Sequence, residues 1–202
     1  MEPKHDDEVE IIDSESLLDG FFQVEKIRLK HSMVSGEWSP EIVRFLLRRP
    51  DAVCAVVHNT DRDSIYLVRQ FRPGSYEKGH GWLYELAAGL VDGEETPVEA
   101  LRREIEEELG FRFQNARLLD HFFPSPGIIS EHVFLYYVQV TDFDRISVGG
   151  GLESENEDLE IIEIPIADLE AFMLENQIID AKTLIGMLRF REIWRQLQDL
   201  NP

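Results

Sequence analysis

Three glutamates in one short segment have the type and spacing of a cation-binding group. Glu104, Glu107 and Glu108 lie three and four positions apart, and residues at those separations project from the same side of a helix. Carboxylate oxygens are the ligands that hard divalent cations such as Mg²⁺ prefer. The spacing therefore predicts a magnesium site on one face of a helix.

The helix that would carry these glutamates has recognisable start and stop signals. Thr96 and Glu99 have the spacing of a capping box, and Pro97 stands at the first helical position. Gly110 stands where a left-handed residue often ends a helix. An apolar stripe recurs every three or four positions, at Val98, Leu101, Ile105 and Leu109. We expect one helix with this stripe inward and the carboxylates outward.

An acidic amphipathic helix can also be a plain solvated surface, but further positions around it fit a longer pattern. Nine residues match G-x5-E-x7-R-E-U-x-E-E-x-G-U, where U is bulky and apolar: Gly89, Glu95, Arg103, Glu104, Ile105, Glu107, Glu108, Gly110 and Phe111. The chain resembles the Nudix hydrolases in this segment, and nine specified positions make a chance match improbable.

Composition bounds the remaining possibilities. The 202 residues, 43% of them hydrophobic, suffice for one sizeable core and a small extension. Forty acidic against twenty basic residues give a net charge of −20, which disfavours nucleic acid and anionic membranes as partners. Cys54 is the only cysteine, and no export signal or membrane-spanning run is visible. We expect a cytoplasmic protein.

Apolar patterning predicts strands on both sides of the glutamate helix and helices at the end of the chain. Residues 1 to about 18 are polar and acidic and are expected to be loosely held, and residues 21–38 are expected to form two strands with a turn at Ser35-Gly36. The further strands are expected at 42–47, 52–58, 64–70, 113–120, 133–140 and 160–164, and helices at 166–177 and 181–200. This order predicts an α+β fold, and the resemblance implies an α/β/α sandwich around a mixed sheet.

Four other stretches are similar to the ADP-ribose pyrophosphatase branch of that family: residues 20–22, 69–76, 125–131 and 149–160. In that branch an N-terminal strand element is exchanged between two subunits. The resemblance therefore implies a β element at residues 1–49, exchanged in a homodimer, and a Nudix domain at residues 50–202. The alternative is a strand hairpin that packs on its own subunit.

The resemblance also implies roles for particular residues. Two or three Mg²⁺ ions, or Mn²⁺, would be held by the backbone carbonyl of Ala88 and by three carboxylates: Glu104, Glu107 and Glu108. Glu155 would be the general base, with Glu153 and Glu157 as rivals. Glu104, Glu108 and Arg103 complete the catalytic set, and Glu95 would help to shape the loop or orient Arg103.

The expected substrate-binding residues are Arg44, Arg72, Phe21, Ser125 and Glu131. A guanidinium group forms a fork that suits diphosphate oxygens, and an aromatic ring can stack on a purine. Arg72 could equally be a surface arginine, and Phe21 or Phe22 a packing residue. His121 and His132 are not spaced as a metal pair.

The implied reaction is Mg²⁺-dependent hydrolysis of the diphosphate bond of ADP-ribose to AMP and ribose 5-phosphate, with glutamate-bound metal ions activating water. One alternative is hydrolysis of another nucleoside diphosphate sugar such as GDP-mannose. Another is a non-catalytic module that senses a nucleotide, although the intact glutamates disfavour it.

Overall fold

The computed structural model describes residues 8–20, 22–152 and 158–200, with side chains up to residue 196. The chain divides into two compact units, one of Met1–Pro50 with Phe123–Glu131 and one of Asp51–Phe122 with His132–Pro202. The sequence does not predict that residues 123–131 group with the first unit, because those residues are distant from it along the chain.

In the part that the structure describes, the first unit contains an antiparallel sheet of three strands in the order β1-β2-β3. The strands are β1 Val9–Asp19, β2 Gln23–His31 and β3 Ile42–Arg48. The expectation of a loosely held N-terminus is wrong for β1, because its backbone pairs along β2 from residue 9 to residue 19. Lys26 lies 3.4 Å from Glu15 and offsets some of the acidic charge.

The predicted turn at Ser35-Gly36 is present, and Gly36 has the positive φ of 85° that such a turn requires. The second strand of the predicted hairpin is only an isolated pair between Ser32 and Trp38. The segment 123–131 pairs with β3 instead, where the N–H of Leu47 donates to the carbonyl of Ile128 at 2.8 Å. The main chain thus accounts for the grouping of this segment with the first unit.

The described part of the second unit forms a seven-stranded mixed sheet in the order β10-β5-β4-β9-β8, with β6 beside β5 and β7 beside β4. Only β4 and β9 run parallel among these pairs. The strands are β4 Ala52–Asn59, β5 Ser64–Phe71, β6 Trp82–Glu85, β7 Ala87–Leu90, β8 Ala116–Phe122, β9 Val133–Val140 and β10 Glu160–Pro165.

Helices cover both faces of this sheet. They are α1 Pro73–Tyr76, α2 Pro97–Glu104, a π-helical turn Ile105–Leu109, α3 Leu169–Glu175 and α4 Ala181–Leu200, and there are 3-10 turns at Asp142–Asp144 and Ile166–Asp168. Side chains of β4 alternate between two buried clusters: Val53 packs with Leu101 of α2, and Cys54 packs with Met187 of α4. The predicted α/β/α sandwich is confirmed.

Two features of this unit differ from the expectations. The strands β6 and β7 are not predicted, because each is four residues long and Gly89 interrupts the apolar run. The predicted single helix changes at Glu104 from an α-helix to the π-helical turn. Among the described helices, none has the length and apolar character needed to cross a membrane.

Candidate functional site

The start of α2 is fixed by the capping box. The hydroxyl of Thr96 accepts from the N–H of Glu99 at 3.3 Å, and the carboxylate of Glu99 accepts from the N–H of Thr96 at 2.8 Å. Pro97 occupies the first turn, where a missing N–H costs nothing. The capping prediction is confirmed, and it sets the register of every glutamate that follows.

The π-helical turn determines which way Glu108 points. Ile105 and Leu109 are fully buried, as predicted for the apolar stripe, but Glu108 is also buried, with 2% exposure. Its Oε2 atom accepts from the N–H of Ala88 on β7 at 3.1 Å. The expectation that all three glutamates face outward is therefore wrong for Glu108, because a π turn adds a residue per turn and rotates the positions after it.

Arg103 organises the more exposed carboxylates. Its Nε and Nη2 atoms bind the two oxygens of Glu95 at 3.1 and 3.2 Å, and Nη2 also donates to the carbonyl of Leu90 at 3.1 Å. Its Nη1 atom lies 2.6 Å from Oε1 of Glu104 and 3.3 Å from Oε2 of Glu107. Hydrogen bonding to Glu95, followed by the pairing with Glu104, raises the pKa of Arg103, although burial opposes it.

Glu95 therefore holds Arg103 in place, as the sequence predicts. The hydrogen bonds from Arg103 also lower the pKa of Glu95, so the pair stays ionised near neutral pH. The result is a fixed guanidinium whose third nitrogen faces the carboxylates of Glu104 and Glu107.

Gly89 makes room for Glu104. A Cβ atom at position 89 would lie 1.8 Å from Oε1 of Glu104 and 1.9 Å from its Cδ. Real Cβ contacts are not that short, so any other residue would displace the carboxylate. The signature glycine is explained by this close approach between β7 and the end of α2.

The three glutamates supply only oxygen ligands, and this donor set suits a hard divalent cation. Two of their carboxylates already converge on one cationic atom, Nη1 of Arg103, and the third is buried beside β7. Within the described ranges, no group of three or more His, Cys, Asp or Glu side chains is close enough together to hold a metal ion. The three glutamates fit a divalent cation chemically. They would hold it if the carboxylates of Glu104 and Glu107 turned from Arg103 toward Glu108.

The residues 149–151 are attached to the same turn by backbone hydrogen bonds. The N–H of Gly150 donates to the carbonyl of Glu108 at 2.8 Å, and the N–H of Gly151 donates to that of Glu107 at 3.1 Å. Gly149 has φ of 68°, and a Cβ there would lie 2.5 Å from the carbonyl oxygen of Glu108. Only glycine fits so close to the turn that carries the carboxylates.

Arg72 belongs to the same unit and is held by a residue that the sequence analysis did not single out. Its Nε and Nη2 atoms bind both oxygens of the buried Glu85, at 2.8 and 3.0 Å, and Lys182 binds Glu85 at 3.2 Å. Burial lowers the pKa of Arg72, but the carboxylates of Glu85 and Glu108 raise it by more, so the pKa lies above its ordinary value. One carboxylate inside the apolar run WLYELAAGL was the available signal.

Three predicted substrate residues lie in the first unit. Arg44 is exposed on β3 and donates to the carbonyl of Val43 at 2.9 Å. The carbonyl of Ser125 accepts from the following turn. Glu131 lies 3.2 Å from Nε of Arg49. Arg49 is not among the residues predicted from the sequence. Their role in a common site with the glutamates stays a prediction.

Two further predictions fall outside the described residues. These are the stacking role of Phe21 and the general base in the segment 153–157, including Glu155 and its rivals Glu153 and Glu157. Phe22 is described, and the guanidinium of Arg49 lies over its ring at 5.6 Å from the centroid.

His121 and His132 are in contact, with Nδ1 of His121 3.0 Å from Nε2 of His132. The 3.0 Å contact between two imidazole nitrogens is a hydrogen bond that either ring can donate, depending on the tautomer. The sequence does not predict this contact, because it depends on the pairing of β8 with β9.

Comparisons with known proteins agree with the signature and with the fold. A relative from Haemophilus influenzae named ADP-ribose pyrophosphatase is 31% identical over 95% of this chain and 89% of its own length. A relative from an Enterobacter species named GDP-mannose pyrophosphatase is 30% identical over 92% of this chain and 95% of its own length. Another relative of that name, from Escherichia coli K12, is 28% identical over 88% of this chain and 92% of its own length.

The solved structures give the same result for the fold. A crystal structure described as ADP compounds hydrolase matches with a TM-score of 0.70 and 23% identity, over 94% of this chain and 95% of the other. The family model described as NUDIX domain matches residues 48–184 and so includes the whole glutamate signature. The chain belongs to the Nudix hydrolase family.

Proposed function

We propose that this chain hydrolyses the diphosphate bond of ADP-ribose to AMP and ribose 5-phosphate, with Mg²⁺ as the metal. The main support is the arrangement of the three signature glutamates: Glu108 is buried beside Ala88, and Glu104 and Glu107 converge on Nη1 of Arg103. The relative named ADP-ribose pyrophosphatase supports the choice of substrate.

Nudix hydrolases generally use divalent metals, and here Glu104, Glu107, Glu108 and the carbonyl of Ala88 would hold two or three ions. When bound, such ions neutralise charge on the diphosphate and make water more acidic. Arg103 keeps the carboxylates of Glu104 and Glu107 close together and can release them to the metal.

The substrate and base roles follow the resemblance. Arg72 would grip the diphosphate, since it is fixed by Glu85 and lies in the electrostatic range of Glu108. Glu155 would take the proton from the attacking water. Support for this role comes from residues 150 and 151, which precede Glu155 in the sequence and are hydrogen-bonded to the glutamate turn.

The remaining contacts would be made to the base and the sugar of the substrate. We assign these contacts to Arg44, Phe21, Ser125 and Glu131. We further propose that the chain is a cytoplasmic homodimer that exchanges its N-terminal strands. The exposure of apolar side chains on β1, including Ile11, Leu17 and Leu18, supports a covering subunit.

A second substrate is favoured by a specific observation. Relatives at 28–30% identity that span 88–92% of this chain are named GDP-mannose pyrophosphatase. The net charge of −20 disfavours a polynucleotide substrate for either activity.

The test is a product assay with purified protein, Mg²⁺ and a panel of ADP-ribose, ADP-glucose, GDP-mannose, NADH and diadenosine polyphosphates. We expect ADP-ribose to give the highest kcat/KM and to yield AMP. A tenfold preference for GDP-mannose would reverse the order of the two substrates. Binding of ADP-ribose without any product would instead support the nucleotide-sensing alternative.

A further inference from the structure

Four charged side chains of alternating sign form a chain of hydrogen bonds beside the proposed site. Asp180 binds Nζ of Lys182 at 2.8 Å, and Nζ binds Oε2 of Glu85 at 3.2 Å. The two oxygens of Glu85 then accept from Nε and Nη2 of Arg72 at 2.8 and 3.0 Å. Of these four residues only Arg72 belongs to the predicted site, and none of them belongs to the family signature.

Arg72 is the most exposed of these four side chains, and the other three, including Lys182 at 20%, are largely buried. The side chain of Glu85 is 2% exposed and that of Asp180 12%, whereas that of Arg72 is 42% exposed. Among the described residues, Nη1 of Arg72 has no hydrogen-bond partner. The exposed end of this hydrogen-bonded series is therefore the guanidinium of Arg72, which has one nitrogen available for an anion.

A buried carboxylate is held in one orientation by the cationic donors that bind its oxygens. Lys182 binds the same oxygen of Glu85 that accepts from Nη2 of Arg72. Without Lys182, the carboxylates of Glu85 and Asp180 lose the ammonium group that binds both of them, and their mutual repulsion favours rotation of Glu85. This rotation removes one of the two acceptors that hold the guanidinium plane of Arg72.

Lys182 is also placed by contacts that do not depend on its charge. The next residue, Thr183, accepts from the N–H of Leu86 at 2.9 Å, and its own N–H donates to Asp180 at 2.9 Å. These bonds fix the start of α4 against the residue that follows Glu85. Replacing the ammonium group therefore leaves the helix start in position.

We propose that Lys182 is a positioning residue that fixes the carboxylate of Glu85 and so holds Arg72 in the orientation that binds the diphosphate of the substrate. This inference rests on the proposed function for the identity of the ligand. Lys182 acts through Glu85 and does not touch the reacting atoms.

The test is a set of variants assayed with either ADP-ribose or GDP-mannose. The substrate used is the one that the wild-type protein hydrolyses with the higher kcat/KM. We expect Lys182→Met to raise KM by about tenfold or more, as for loss of a charge-assisted hydrogen bond, with a smaller change in kcat. Lys182→Arg should recover most of the wild-type KM. In an Arg72→Ala background, Lys182→Met should raise KM by less than about twofold, because both changes remove the same interaction.

A matched control lies on the same helix. Arg189 pairs with Asp120 and Glu192 and is 40% exposed, so Arg189→Met should leave KM unchanged. The double variant Glu85→Gln with Lys182→Met removes both buried charges. It should recover thermal stability while KM stays high, which separates positioning from folding.

Binding gives an independent readout. With Ca²⁺ in place of Mg²⁺, the Kd of inorganic pyrophosphate should rise about tenfold in Lys182→Met. Wild-type protein that hydrolyses neither sugar would refute the proposed function, and the pyrophosphate experiment would still decide the inference. An unchanged Kd, or additive effects of the Arg72 and Lys182 changes, would overturn it.

Discussion

Replacing Gly89 by alanine is the sharpest perturbation of the proposed metal site. The added Cβ would lie 1.8 Å from Oε1 of Glu104, and ordinary contact begins at 3.4 Å. The carboxylate of Glu104 therefore has to move by about 1.6 Å, because the backbone of β7 is held by its pairing with β4.

A displacement of that size is large for a catalytic group. A misplacement of about 1 Å can cost about 10²-fold in rate, so we expect Gly89→Ala to lower kcat by about 10²-fold or more, equivalent to about 2.7 kcal/mol of activation free energy. The Mg²⁺ concentration needed for half-maximal rate should also rise, since Glu104 is a proposed ligand.

The assay is a Mg²⁺ titration of kcat with ADP-ribose, together with the melting temperature. Gly186→Ala is the matched steric control, because a Cβ there would lie 2.5 Å from Cδ1 of Leu86, an apolar atom. We expect that control to lower the melting temperature while kcat stays within about threefold of wild type. The metal role of Glu104 would be refuted by a Gly89→Ala protein with wild-type kcat and Mg²⁺ dependence.

Three further predictions concern single side chains. Glu108→Gln should lower kcat by at least about 10²-fold because it removes a buried charge from the metal site; retention of the wild-type circular dichroism spectrum would show that the fold persists, and normal turnover would contradict the assignment. Glu155→Gln should lower kcat by about 10²-fold with KM nearly unchanged, as expected for a general base, and a wild-type kcat would exclude it. Burial lowers the pKa of His58 below its ordinary value of 6.5, so its stabilising contribution is complete above pH 6.5 and is lost as pH falls toward the folded-state pKa. His58→Asn should therefore flatten the fall of melting temperature between pH 7 and pH 5, and an unaltered slope would show that other groups cause it.

Much of the second unit follows from local sequence signals. Thr96 and Glu99 predict the start of α2, and Gly110 predicts the end of the π-helical turn that continues it, because capping depends only on residues a few positions apart. The strands around β4 are visible because each is a run of apolar residues with polar breaks. The fold class follows from the order of these elements.

The errors lie where the outcome depends on contacts that are distant in sequence. Glu108 looks like its two neighbours in any helical projection, and only the π-helical turn and the N–H of Ala88 show that it is buried. Glu85 and Lys182 are almost a hundred positions apart, so no local pattern joins them. The strand β1 likewise depends on pairing with β2, which acidic composition conceals.

The attachment of residues 149–151 to the glutamate turn has a consequence for divergence within the chain. It consists of main-chain donors and acceptors, and the two glycines that allow it, Gly110 and Gly149, contribute no side chains. Segments of other lengths and compositions can therefore be inserted after residue 151 while residues 149–151 stay hydrogen-bonded to the glutamate turn. A chimera with a foreign loop after residue 151 should keep this attachment as long as Gly110 and Gly149 are retained.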